Sequence, residues 1–267
     1  MSRIPLTFQS GRTRLAATLD AAPGATGVLL VTGGNEVRAG AFSGQAQMAA
    51  RIARAGFPVF RFDRSGTGDS DGENAGFEGS RADIEAALLT FRTMVPAMTR
   101  VVGLGNCDAA SALMLAGGAG CDALVLSNPW TIDSRPANVA NEAPAGEAQA
   151  PEAVRARYLA KLKDPREIAR LLRGGVDLRK LIGGLKQAAR TAPPPSSLAE
   201  AMRQGIEPFA GEVTFLIATA DRTGQLFESR WGKDDPRIRR CAEASHAFVE
   251  PHARDWLFDQ VLAVVRG

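Results

Sequence analysis

The stretch Val101-Val-Gly-Leu-Gly-Asn-Cys-Asp-Ala-Ala-Ser-Ala112 decides the fold. Its first residues predict a buried strand, a tight turn follows, and a helix begins at once. The turn Gly105-Asn-Cys-Asp-Ala109 matches the nucleophile-elbow pattern G-x-S-x-G, with Cys107 in place of serine and alanine in place of the last glycine. Small residues are needed there because the nucleophile occupies a strained backbone conformation between strand and helix. The stretch therefore predicts that Cys107 is a nucleophile.

The three cysteines have different predicted roles. Cys107 would stand at a helix N-terminus, where the macrodipole favours a thiolate, although the neighbouring Asp108 carboxylate opposes it. An inert, buried thiol is the alternative reading of Cys107. Cys121 precedes a predicted strand and Cys241 lies in one, so we expect both to be packing residues. An odd and sparse set of cysteines argues against a disulfide framework and favours a reducing compartment.

Short apolar runs alternate with longer amphipathic segments along most of the chain. Period-two alternation predicts a hairpin of Ile4–Phe8 and Arg14–Leu19. The other predicted strands are Gly27–Thr32, Phe57–Asp63, Arg100–Gly105, Asp122–Ser127, Val213–Thr219 and Arg237–Ala242. The predicted helices are Phe42–Ala55, Ser80–Val95, Asp108–Ala116 and Pro251–Val265. This alternation predicts an α/β fold, a mostly parallel sheet with helices on both faces.

The alternation stops over residues 131–208, which contain no convincing strand. The segment begins with the Ala-, Pro- and Glu-rich run Pro136–Pro151 and continues with helical patterns. It is too long for a plain connection between two elements of a compact domain. We interpret 131–208 as a helical cap inserted into a core formed by residues 1–130 and 209–267.

A thiol nucleophile needs a base and an acid that orients it. His246 lies between the last predicted strand and the last helix, and Asp221 follows a strand 25 residues earlier. The chain order Cys107, Asp221, His246 is the nucleophile–acid–base order of hydrolases built on such a sheet. Helix N-capping is the alternative role for Asp221, and Asp133 is the rival acid. A structural role is the alternative for His246, and we expect His252 to be a surface residue.

The same layout predicts an oxyanion hole. One donor would be the backbone N–H of Asp108, and the other would come from Gly34 or Asn35, after an early strand. Trp130 and Tyr158 are candidates for lining a substrate pocket, with packing between cap and core as the alternative. Neither a phosphate-binding glycine loop nor paired histidine spacing occurs, so we predict no metal and no cofactor.

Composition and charge exclude several classes of protein. A hydrophobic fraction of 45% is too high for a disordered chain, and a net charge of +3 is too low for a bare nucleic-acid module. Met1–Asp20 lacks the apolar region of a secretory signal, and no apolar run could span a bilayer. We therefore expect a soluble cytoplasmic protein without a nucleic-acid partner.

Positive charge is concentrated in one part of the chain. Residues 151–208 hold 12 Lys and Arg side chains against 6 Asp and Glu. Solvated helix faces are the ordinary reading of such a segment. The alternative is a basic lid over an anionic substrate or carrier, such as a phosphopantetheine thioester.

Several motifs together indicate a family. Phe60-Arg-Phe-Asp-Arg-Ser-Gly-Thr-Gly-Asp-Ser70 looks like the D-x-R-G-x-G-x-S loop common in α/β hydrolases. Taken with Gly33-Gly34-Asn35, Ser127-Asn-Pro-Trp130, Ser245-His246 and the elbow, it makes the chain similar to the exosortase A system-associated hydrolase type 1 family. The resemblance covers nearly the whole chain.

The resemblance implies an α/β-hydrolase fold with a helical cap, in bacteria that make exopolysaccharide and use an exosortase sorting system. By position, Cys107 matches the nucleophile, His246 the base and Asp221 the acid. Asn106 in the elbow and Ala247 after the histidine depart from the pattern.

The expected reaction is hydrolysis or transfer of an acyl group from an ester or thioester, through a thioester on Cys107. The substrate would be a small molecule or a carrier-bound acyl group. One alternative is a non-catalytic scaffold or binding protein of a biosynthetic complex, in which Cys107 is inert. Another keeps catalysis but cleaves a lactone or a C–C bond.

Overall fold

The computed structural model describes residues 2–132 and 197–267. Eight strands occur in this part of the chain: β1 Ser2–Ser10, β2 Thr13–Ala21, β3 Thr26–Val31, β4 Val59–Phe62, β5 Arg100–Asn106, β6 Ala123–Ser127, β7 Glu212–Ala218 and β8 Ile238–Cys241. The α-helices of the same ranges are α1 Gly44–Arg54, α2 Arg81–Met94, α3 Asp108–Leu115, α4 Ser197–Ile206, α5 Arg222–Trp231 and α6 Pro251–Arg266.

The eight strands form one sheet in the order β1-β2-β4-β3-β5-β6-β7-β8. The N-terminal hairpin is antiparallel, with Ile4 opposite Leu19, and β2 also pairs antiparallel with β4. From β4 to β8 every pairing is parallel. The structure confirms the predicted fold class, a mostly parallel sheet flanked by helices.

The central strand β3 shows why its sequence is apolar without interruption. Val28 and Leu30 belong to one buried cluster, and Leu29 and Val31 belong to another. Successive side chains of a strand point to opposite faces, so both faces of β3 are covered. The first cluster includes residues of α1 and α6, and the second includes residues of α2, α3, α4 and α5.

The end of the predicted cap contributes to the core. Helix α4 falls within the range 131–208, and its side chains Leu198, Met202 and Ile206 are buried in the larger apolar cluster. The elements in contact with it include α3. The run Pro136–Pro151, the rival acid Asp133 and the pocket candidate Tyr158 lie outside the described residues.

The sheet brings several loops to one edge. Parallel strands end at the same edge, so the segments that follow β3, β5, β6 and β7 meet there. These segments carry most of the site residues predicted from the sequence. The loop between β8 and α6, which contains His246, reaches the same place.

Candidate active site

Cys107 occupies the sharp turn between β5 and α3. Its backbone angles are φ 61° and ψ −126°, in the left-handed half of the map that an L-residue rarely adopts. A Cβ atom on Gly105 would lie 2.8 Å from backbone atoms of Ala109 and Ala110, so only glycine lets β5 and α3 approach this closely. Strain of this kind persists where the surrounding structure imposes it, and it is common at functional sites.

The three cysteines differ in exposure. Cys107 is partly exposed, whereas Cys121 and Cys241 are buried, and all three are free thiols. Burial raises the pKa of Cys121 to about 12 and also raises the pKa of Cys241. Two of the three thiols are therefore protonated packing residues, in agreement with the expectation for them.

Asp221 and His246 are joined by a direct contact. The Nδ1 atom of His246 lies 2.9 Å from Oδ2 of Asp221. The same Oδ2 atom accepts a hydrogen bond of 3.0 Å from the backbone N–H of Gly224 and so caps α5. The sequence left two roles open for Asp221, helix cap and partner of the histidine. One oxygen, Oδ2, makes both contacts.

The charge on His246 follows from its neighbours. Its pKa is raised to about 10, first by the hydrogen bond to Asp221 and second by a hydrogen bond to the Cys107 side chain, against the opposing effect of burial. A pKa raised in this way favours the protonated imidazole at neutral pH. An imidazolium between a carboxylate and a sulfur atom is an arrangement that activates a thiol for nucleophilic attack. The other histidine, His252, is exposed and contacts the carbonyl of Ala242.

Two of the residues predicted to supply oxyanion donors, Gly34 and Asp108, are hydrogen bonded to each other. As the first residue of α3, Asp108 has a backbone N–H without a partner inside the helix. Its carboxylate, however, accepts the backbone N–H of Gly34, which lies 2.7 Å from both carboxylate oxygens. The side chain of Asn35 accepts a hydrogen bond of 2.8 Å from Asn74. In this structure the Gly34 N–H, one of the predicted oxyanion donors, is therefore already bound to a protein carboxylate.

A buried arginine completes this side of the site. Arg64 is 3% exposed, donates to the carbonyl of Gly34 and to the Oγ atom of Ser80, and has its Nη2 atom 3.8 Å from Asp108. Burial lowers the pKa of Arg64, while Asp108 and Asp83 act in the opposite direction. Sequence reasoning missed Arg64 as a site residue. Its position after β4, in the loop that resembles a hydrolase motif, was the available signal.

Trp130 lies close to the nucleophile through its backbone. Its N–H donates to the carbonyl of Cys107 at 3.2 Å, and its ring nitrogen donates to Ile132 at 2.8 Å. Its partly buried side chain packs against the main core cluster. Its role in a substrate pocket stays a prediction, as does that of Tyr158.

No cluster of metal-ligating side chains occurs among residues 2–132 and 197–267. Within the described ranges, none of the helices combines the length and the apolar character needed to cross a membrane.

Comparison with known families agrees with the fold. Residues 28–260 match a model of the alpha/beta hydrolase family, which is most of the chain. The chain belongs to this family and is an α/β hydrolase. No curated protein sequence matches it.

Solved structures with a similar fold include esterases. DcsB, solved with its substrate analogue, has a TM-score of 0.63 and 13% identity over 99% of this chain and 98% of its own. Est1E from Butyrivibrio proteoclasticus, solved with ferulic acid, gives 0.60 and 14% over 98% and 100%. The esterase Pf2001 from Pyrococcus furiosus gives 0.59 and 12% over 99% and 90%. At these identities the likeness concerns the fold alone.

Proposed function

We propose that Cys107, His246 and Asp221 form a catalytic triad that hydrolyses or transfers acyl groups of an ester or thioester. The observation that carries the proposal is the 2.9 Å contact between His246 Nδ1 and Asp221 Oδ2. The Cys107 side chain is also among the groups that raise the pKa of this ring. A carboxylate on Nδ1 leaves Nε2 as the nitrogen that exchanges a proton with the nucleophile or the leaving group.

The proposed reaction has two balanced steps. The Sγ atom of Cys107 forms a bond to the substrate carbonyl carbon, and the bond from that carbon to the leaving oxygen or sulfur breaks. His246 gives its Nε2 proton to the leaving group and becomes neutral. Water, or an acceptor hydroxyl, then loses a proton to His246 and attacks the thioester carbonyl. The Cys107 thiolate leaves, and acid or ester is released.

The proposed oxyanion hole combines the backbone N–H of Asp108 with a second donor from Gly34 or Asn35. Each such donor contributes about 2.7–4 kcal/mol to transition-state stabilisation in comparable hydrolases. Before Gly34 can act as an oxyanion donor, its N–H has to break its hydrogen bond to the Asp108 carboxylate and form one to the substrate oxyanion. Asn35 offers a donor on the same turn if that exchange does not happen.

The proposed substrate is a small or carrier-bound acyl compound with anionic character, processed in the cytoplasm in connection with exopolysaccharide and exosortase systems. The basic balance of residues 151–208 supports the anionic group, and the free cysteines agree with a reducing compartment. Trp130 and Tyr158 would line the pocket, with the part of 131–208 that precedes α4 as its cap. Faster turnover of anionic than of neutral esters at low salt, lost at high salt, is the expected result.

Intact mass after incubation with p-nitrophenyl acetate tests the nucleophile. We expect the mass of one acetyl group on the wild type and on Cys241→Ala, a matched control that removes a buried thiol. We expect neither adduct nor turnover with Cys107→Ala. Full activity of Cys107→Ala with an intact fold would disprove the proposed mechanism.

One observation favours a second candidate, a non-catalytic scaffold. The carboxylate of Asp108 already occupies the N–H of Gly34, which a working oxyanion hole would need free. Iodoacetamide separates the two. An enzyme has a Cys107 thiol that reacts much faster than Cys121 and Cys241 at neutral pH, whereas a scaffold has three slow thiols.

A further inference from the structure

The segment Ser127–Trp130, which begins at the last residue of β6, holds the peptide groups on both sides of the nucleophile. The carbonyl of Ser127 accepts the backbone N–H of Cys107 at 2.9 Å, and the N–H of Trp130 donates to the carbonyl of Cys107 at 3.2 Å. The carbonyl of Trp130 in turn accepts the hydroxyl of Ser111, in α3, at 2.7 Å. The backbone of Cys107 is thus fixed from one short segment.

The side chain of Asn128, in the same segment, reaches the loop that carries the base. Its Nδ2 atom lies 3.1 Å from the carbonyl oxygen of His246 and 3.4 Å from Oδ1 of Asn106. Its Oδ1 atom accepts the backbone N–H of Ala218 at 2.9 Å. Asn106, which precedes the nucleophile, donates to the same carbonyl of His246 at 3.3 Å. Two amides therefore converge on one carbonyl oxygen.

The environment of Asn128 makes these contacts important. The residue is fully buried, and its φ of 41° is in the left-handed region that asparagine tolerates better than most residues. A buried amide group that loses a hydrogen-bond partner lowers the stability of the fold, because no water replaces that partner. The hydrogen bonds of Asn128 therefore support one another. Asn128 thereby ties the end of β7 and the His246 loop to the segment that holds Cys107.

We propose that Asn128 is a positioning residue that keeps His246 within reach of Cys107. The proposal rests on the proposed acyl-transfer function. The ring of His246 is oriented at Nδ1 by Asp221, but its backbone position is set at the carbonyl by Asn128, with Asn106 as the second donor. Loss of the Asn128 donor lets the imidazole move relative to the sulfur, and a displacement of about 1 Å can cost about a hundredfold in rate.

The substitution Asn128→Asp tests this directly. Aspartate retains an oxygen for the N–H of Ala218 and places its other oxygen against the carbonyl of His246, so the donor is lost and repulsion replaces it. With p-nitrophenyl acetate we expect kcat to fall about tenfold or more while KM stays unchanged. We also expect the pH profile of Cys107 alkylation to move toward that of His246→Ala, a change that a purely structural role would not produce.

Gln225→Glu is the matched control, because this exposed amide donates to the carbonyl of Thr219 at 2.8 Å without touching the histidine loop. It should retain the wild-type kcat and alkylation profile. If Asn128→Asp does not fold, Asn106→Ala tests the positioning role instead. It removes the second donor to the His246 carbonyl from a less buried position. The same shift in the pH profile of Cys107 alkylation is expected.

Three outcomes separate the two proposals. A wild-type kcat and alkylation profile in folded Asn128→Asp, or in Asn106→Ala where the first does not fold, overturns the positioning role. Full esterase activity of Cys107→Ala overturns the proposed function instead. Loss of activity in Cys107→Ala together with the shifted profile in the asparagine variant supports both.

Discussion

The candidate site has a base side, formed by Asp221 and His246, and an oxyanion side, formed by Gly34 and Asp108. The two sides differ in whether their polar groups are already bound to the partners that the proposed reaction needs. On the base side, the β7–α5 turn and the His246 loop direct hydrogen bonds toward one imidazole, whose pKa is raised to about 10. On the oxyanion side, the turn at Gly34 donates its N–H to the Asp108 carboxylate, with Arg64 nearby. On the base side the histidine already contacts a carboxylate, whereas on the oxyanion side the Gly34 N–H is already bound to the Asp108 carboxylate.

The difference has a physical meaning. Preorganised donors stabilise a transition state because they need no rearrangement during the reaction. A donor that is bound to a carboxylate must first give up a charge-assisted hydrogen bond, which is stronger than a neutral one. In the proposed mechanism the base side supplies the proton transfers, and the oxyanion side has to release the Gly34 N–H before that donor can stabilise the transition state.

The largest effect is expected from Asp221→Asn. Asparagine is as good an N-cap as aspartate, so α5 and the fold should persist, while the carboxylate that holds the charge of His246 is lost. We expect kcat to fall by a factor on the order of 10³. The melting temperature near neutral pH should fall by a few degrees, because the contact that raises the pKa of His246 is weakened. The control is Asp255→Asn, a surface carboxylate paired with Arg51. Near wild-type kcat in Asp221→Asn would point to Asp133 as the acid.

A smaller effect of opposite sign is expected from Asp108→Asn. The substitution removes the negative charge that faces the Gly34 N–H. In the proposed mechanism this charge repels the oxyanion of the transition state, and two charges a few ångströms apart near a protein surface interact by several kcal/mol at most. The positive charge of Arg64 reduces the repulsion. We expect kcat for p-nitrophenyl acetate to rise about tenfold, less at high salt. Asp69→Asn, an exposed partner of Arg38, is the control. A fall in kcat would contradict this and assign Asp108 to holding the turn in place.

The two sides also differ in how well the sequence predicts them. The turn around Cys107 is contiguous, so spacing alone indicates it, and chain order is enough to propose Asp221 and His246. The contact between Asp108 and Gly34 joins residues 74 positions apart, and it depends on how close β3 lies to α3. No local pattern encodes that distance.

The same reason explains the other gaps. The sequence indicates Asn128 only as part of a family motif, because the three partners of its side chain come from β5, β7 and the His246 loop and meet only in the folded chain. The range 131–208 is predicted as a cap because it contains no convincing strand and is too long for a plain connection. That reasoning does not show that its last residues form α4 and pack in the core. Periodicity predicts the eight strands and four of the described helices, whereas α4, α5 and the contacts between distant elements required the structure.

The smallest expected effect concerns the charge of His246 and the stability of the fold. A histidine whose pKa is higher in the folded than in the unfolded chain stabilises the fold when protonated. That contribution is complete below about pH 6.5, the ordinary value, and is lost as the pH rises through about 10. The melting temperatures of wild type and His246→Asn should therefore differ by a few degrees at pH 6 and converge near pH 10.

His252→Asn controls for the loss of an imidazole outside the site. A difference for His246→Asn that stays constant from pH 6 to pH 10 would mean that the imidazole is neutral in the folded protein. The base side would then resemble the oxyanion side. The hydrogen bond between Asp221 and His246 would be in place, but the proton would still have to move from Cys107 to His246 when substrate binds.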